Sequence, residues 1–100
     1  MGGVILAIDQ GTTGTTIAMM DDRGRLLGSV NNEFEQIYPQ PGWVEHDPEA
    51  IWHSVVVGIR SLLRKRIAKA NDIVAIGITN QRETSVIWDR NTGMPLNNAI

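Results

Sequence analysis

The sequence predicts an α/β domain on a mixed sheet, with elements in the order β-β-β-α-β-β. Three observations carry that prediction. Unbroken apolar runs of strand length lie at residues 4–8 and 73–78, as in strands covered on both faces. Two turn signals, Gly11-Thr12-Thr13-Gly14 and Asp21-Asp22-Arg23-Gly24, follow the first run closely and mark hairpins. One long amphipathic stretch then separates the two runs, the pattern of a helical crossover between parallel strands.

Taken in order, Val4-Ile5-Leu6-Ala7-Ile8 is the first strand and delivers Asp9 at its C-terminal end. After the glycine turn, residues 15–20 resume with β-branched and apolar side chains as its hairpin partner. Residues 25–32, with Leu27 and Val30, form a third antiparallel strand. Residues 33–46 hold Pro39, Pro41 and Gly42 without a sustained period, an irregular connection of the kind that usually serves function, with Trp43 expected to pin it. Asp47 is an N-cap acid and Pro48 sits where a helix needs no amide, so a helix starts there. Trp52, Val55, Val56, Ile59, Leu63 and Ile67 form its apolar stripe, and Asn71-Asp72 ends it. The second apolar run follows, then Thr79-Asn80-Gln81-Arg82-Glu83, and residues 84–89 read as a last strand.

With 100 residues and 42% hydrophobic content the chain is long enough for one small domain. A net charge of −2 from nearly balanced acids and bases gives no footprint for nucleic acid or a membrane surface. No cysteine is present, so there is no disulfide framework or thiolate metal site, in keeping with a reducing cytoplasmic setting. The first apolar run falls far short of the roughly 18 residues of a membrane span, and it lacks the flanks of a signal peptide. The start reads as native. The end, Pro95-Leu96-Asn97-Asn98-Ala99-Ile100, turns apolar without a cap and reads as a truncation.

Asp9-Gln10-Gly11-Thr12-Thr13-Gly14 is the strongest chemical signal. Converging amides and threonine hydroxyls suit a phosphate, and a carboxylate beside them can hold hydrated Mg²⁺. The Walker lysine motif and the dinucleotide-binding glycine pattern are both absent. On residues alone, an ordinary Gly/Thr hairpin turn explains this segment equally well. Arg82 and Glu83 lie beyond the C-terminal end of a strand, where open α/β sheets bind ligands. Forked donors beside a carboxylate suit a polyol, although a solvated ion pair is the commoner meaning of such neighbours. His46 and His53 lack metal-ligand spacing and read as packing or surface residues. Arg64-Lys65-Arg66 reads as the basic complement of a helix C-terminus. Trp43, Trp52 and Trp88 read as core and loop anchors.

Three stretches together resemble the glycerol kinases of the FGGY carbohydrate kinase family: Ile8-Asp9-Gln10-Gly11-Thr12-Thr13, Pro41-Gly42-Trp43-Val44-Glu45-His46-Asp47-Pro48, and Ile76-Gly77-Ile78-Thr79-Asn80-Gln81-Arg82-Glu83-Thr84. The resemblance covers nearly all of the chain, and the first stretch is shared more widely among ribonuclease H-like, actin-like ATPases. It implies that residues 1–100 are the first part of an amino-terminal domain of that fold, with the rest of that domain and a second domain absent. It implies ATP-dependent phosphorylation of glycerol in the parent protein, with glycerol, ATP and ADP as partners, Mg²⁺ as cofactor, a cytoplasmic setting and a homo-oligomeric assembly. By the same resemblance Asp9 lies near the metal, through water, Gln10, Gly11, Thr12, Thr13 and Gly14 line the nucleotide phosphates, and Arg82 and Glu83 hold glycerol hydroxyls. The catalytic base belongs to a later segment, so the fragment alone is expected to be inactive. Gly14 and Thr16 depart from the family's usual serine and arginine, which removes a hydroxyl and a cation from the hairpin. Three alternatives stay open: a related xylulokinase-like sugar kinase, a non-catalytic self-associating fragment, and an actin-like ATPase indifferent to glycerol.

Overall fold

A computed structural model describes residues 2–100. Strand β1 (Val4–Gln10) runs antiparallel to β2 (Gly14–Met20), which runs antiparallel to β3 (Leu26–Glu33). Helix α1 (Pro48–Arg64) then crosses over, and β4 (Ile73–Asn80) pairs parallel with β1. The four-stranded mixed sheet has the order β3-β2-β1-β4, so the two strands with continuous apolar runs lie side by side.

Register sorts the side chains by face. Paired residues share a face of the pleat, so Leu6, Met19 and Gly28 fall in one row, and Ile8, Ile17 and Val30 in the next. Helix α1 covers these rows, burying Val4, Leu6, Ile17 and Met19 of the sheet against its own Leu62. Asp47 caps the helix as expected, with its Oδ1 accepting from the Glu49 amide at 3.0 Å. Gly58 lets the helix approach the sheet, because a Cβ there would stand 2.6 Å from Ile17 Cγ1. A buried polar tie adds to this contact. Ser54 donates to the Ile51 carbonyl at 2.6 Å, which leaves its oxygen to accept from Thr15 at 2.7 Å.

Several expectations need correction. The helix ends at Arg64, not near Asn71, and a 3₁₀ turn at Ala70–Asp72 leads into β4. The basic residues do sit at that helix end, as expected. Trp52 lies off the packed face and is exposed, because Ser54, Val55, Gly58 and Leu62 face the sheet instead. Trp43 and Trp88 are also exposed, so neither anchors a core. Strand β4 is apolar but uncovered, with Val74 70% and Ile78 71% exposed, because α1 lies over β2 and β3 and does not reach it. Residues 84–89 do not join the sheet. They pair instead with the segment that follows, through Asp89 N to Met94 O, Leu96 N to Ile87 O, and reciprocal bonds between Ser85 and Ile100.

Candidate functional site

The parallel pairing of β1 and β4 brings the C-terminal ends of both strands to one edge of the domain. Asp9 pairs with Thr79, and Gln10 with Asn80, so the glycine turn after β1 and the Arg82-Glu83 loop after β4 leave the sheet side by side. This is the strand-end position at which open α/β sheets take ligands.

Asp9 lies on the face opposite α1. On that face the register sets Asn31, Thr16, Asp9 and Thr79 in one polar row across all four strands. Thr16 and Thr79 thus flank the carboxylate. Sequence reading did not single out Thr79, Thr16 or Asn31 as a group, since only the pairing register brings them together. The Thr16 hydroxyl accepts from Asn31 Nδ2 at 2.8 Å.

The turn itself closes through Gly11 N donating to Gly14 O at 2.9 Å. Thr12 and Thr13 are exposed at its tip, and their amides have no acceptor among the described residues. Their carbonyls are held from the other side: Phe34 N donates to Thr13 O at 3.2 Å and Gln36 Nε2 to Thr12 O at 2.8 Å. Gly14 is buried against β3, and a Cβ there would stand 2.8 Å from the Asn32 carbonyl oxygen. A serine at this position would therefore have to push the two strands apart. Gln10 folds back, its Nε2 donating to Gly11 O at 2.7 Å, and is not directed outward as a phosphate donor.

Arg82 and Glu83 are both exposed, and no ion pair joins them. Glu83 has φ of 64°, a left-handed conformation that a non-glycine residue adopts at some cost and that is common where a loop is held for function. Between them and the sheet sits Gln81, only 7% exposed, whose Nε2 is buried without a hydrogen-bond partner among the described residues. It borders a cleft of about 180 Å³ that Gln10, Asn80 and Thr84 also line. Gln81 entered the sequence reading only as a member of a family-like stretch, with no role of its own, because an amide after a strand is ordinarily a surface residue.

The donor set fits a nucleotide's phosphates with a divalent cation: free amides and hydroxyls at the turn, and one carboxylate nearby. Mg²⁺ usually takes one or two protein carboxylates, with phosphate oxygens and water completing its shell. No cluster of three or more metal-binding side chains exists among the described residues, so a cation here would depend on the phosphates. No helix among them is long and apolar enough to cross a membrane.

Comparison with known proteins agrees with this layout. Residues 4–100 match the family model described as the N-terminal domain of the FGGY family of carbohydrate kinases. The chain is 56% identical over 100 residues to a glycerol kinase of Allorhizobium ampelinum and 52% identical to one of Caldanaerobacter subterraneus, in each case over all of this chain and 20% of the relative. It thus spans about one fifth of the length of these curated relatives. Among solved structures, a Plasmodium falciparum glycerol kinase with ADP superposes with a TM-score of 0.86 at 39% identity, over 99% of this chain and 20% of that one. A ligand-bound xylulose kinase from Lactobacillus acidophilus gives 0.87 at 28% identity, over 98% of this chain and 19% of that one. The match spans almost the whole chain, and the chain belongs to the FGGY family of carbohydrate kinases.

Proposed function

We propose that this chain forms the phosphate-binding and part of the polyol-binding region of an ATP-dependent glycerol kinase, which transfers the γ-phosphoryl group to a terminal hydroxyl and yields glycerol 3-phosphate and ADP. The observation that carries the reading is the side-by-side exit of the Asp9 turn and the Arg82-Glu83 loop from paired strands. Identity above 50% to glycerol kinases over this whole segment supports glycerol over a sugar as the acceptor.

In this reading Asp9 faces Mg²⁺ through water, the turn from Gly11 to Gly14 meets the phosphates, and Arg82 and Glu83 hold the acceptor's hydroxyls. Bound Mg²⁺ supplies charge neutralisation for the transferring group. The chain's own part is positioning and electrostatics, which carry most of the burden in phosphoryl transfer. Thr12 and Thr13 offer amides and hydroxyls to anionic oxygen, while Arg82 donates to hydroxyl oxygens and Glu83 accepts a hydroxyl proton in a hydrogen bond. The general base lies outside these residues, and the setting is cytoplasmic.

The test is ADP release by the polypeptide carrying this segment at the length of its relatives, with glycerol, xylulose and gluconate offered in turn. Turnover confined to glycerol is expected; turnover confined to a sugar or sugar acid would reassign the acceptor. A second reading concerns the chain at its present length, where the exposed β4 favours self-association without catalysis. Sedimentation of a strictly monomeric species would count against it.

A further inference from the structure

His46 is a buried titratable side chain that the site as described leaves unused. Its Nε2 lies 2.8 Å from Gln36 Oε1, its ring meets Phe34 edge-on with centroids 5.2 Å apart, and its backbone is bonded both ways to Ala99. Gln36 in turn reaches the tip of the glycine turn: its Nε2 donates to Thr12 O at 2.8 Å and to Phe34 O at 3.3 Å.

The polarity of this relay is fixed by its ends. Two carbonyl oxygens demand the amino side of the Gln36 amide, so its oxygen must face His46, and His46 must present an N–H from Nε2. The far end also has a direction. In a trans peptide the C=O and the next N–H point opposite ways, so holding Thr12 O toward Gln36 turns the Thr13 N–H outward. Among the described residues that N–H has no acceptor.

We propose that Gln36, locked in orientation by His46, is a positioning residue for the nucleotide: it fixes the Thr12–Thr13 peptide plane so that the Thr13 amide is presented to a phosphate oxygen. The inference rests on reading the turn as the nucleotide cradle and adds the element that orients it. Neither side chain touches substrate; both act through one peptide group. The arrangement explains why a histidine and a glutamine occupy the irregular connection after β3, where packing alone would be met by apolar residues.

Gln36→Glu is the discriminating variant. It keeps size and the His46 partner but sets a carboxylate oxygen against the Thr12 carbonyl. In the full-length polypeptide, the KM for MgATP and the dissociation constant for ADP by calorimetry are both expected to rise about tenfold, with the KM for glycerol changed less than about twofold. His46→Leu should move the same quantities in the same direction, and His46→Gln, which restores an N–H donor, should recover most of the loss. Deuterium exchange of the nucleotide-free protein gives a readout without turnover: the turn from Gly11 to Gly14 should exchange faster in Gln36→Glu and His46→Leu alone. Unchanged ADP affinity in a folded Gln36→Glu protein would overturn the inference, as would a parallel rise in both KM values. If the unaltered protein binds ADP but does not phosphorylate glycerol, the acceptor assignment fails, and the ADP comparison still decides the role of Gln36.

Discussion

Strands β1 and β4, side by side in the sheet, carry similar apolar runs and end in opposite conditions. Under α1, β1 and β2 bury Val4, Leu6, Ile17 and Met19; on the far side of β1, β4 leaves Val74, Ile76 and Ile78 exposed. Ile76 and Ile78 pair with Leu6 and Ile8 and so continue the same face, beyond the reach of the helix. An unbroken apolar run therefore states that a strand is made for burial. It does not say which residues supply the cover.

That contrast can be tested, beginning with the largest effect. Leu62→Ala, at the centre of the covered half, should destabilise by roughly 2–5 kcal/mol in urea unfolding, through lost transfer energy and an unfilled cavity. A loss well under that range would mean the helix packs more loosely than its burial indicates.

Next in size is a pH effect at the β2–β3 turn, also in the covered half. Asp21 accepts from the amides of Arg25 at 2.8 Å and Arg23 at 2.9 Å, and from Arg25 Nε at 2.7 Å. The Arg25 amide bond is the leading cause that holds its carboxyl below the ordinary value of 3.8, with the Arg25 side chain and the Arg23 amide adding to it against partial desolvation. A folded-state value below the unfolded one stabilises at pH above 3.8, and this contribution is lost as pH falls through the depressed value. Asp21→Asn should lower the urea midpoint at neutral pH and flatten its decline in acid. An unchanged acid profile would show that the turn's bonds do not hold in solution.

The smallest effect is expected on β4. Ile78→Thr should change stability by no more than about 0.5 kcal/mol, since the side chain is already exposed. Sedimentation should at the same time show weaker self-association. A loss comparable to that of Leu62→Ala would mean the face is covered in solution and would break the comparison.

Much of this was legible in the residues, for reasons that also explain the failures. The Asp/Gly turn at residues 21–24 and the Asp47-Pro48 start are local devices whose chemistry sits in adjacent positions, and both behave as read. Trp52 misled because an apolar side chain at helical spacing satisfies the stripe without saying where the sheet lies. Residues 84–89 carry Val86 and Trp88 and read as a strand, yet their hydrogen bonds go to residues 93–100, and composition does not disclose which partner a strand will choose. At the site, Asp9 and the threonine turn stand out because a carboxylate, two glycines and two threonines fall within one run of six residues. Gln36, Thr79 and Gln81 do not, because their significance comes from register and burial, which are properties of the assembled chain.

The parallel joining of β1 to β4 also sets an order of events during synthesis. The three-strand meander that holds the threonine turn needs only neighbouring segments, whereas β4 must wait for everything from Gly11 to Asp72 to leave the ribosome and fold back across it. The threonine turn can therefore be formed before the Arg82-Glu83 loop has been translated, and until then the outer edge of β1 is an open seam for a chaperone or a neighbouring nascent chain.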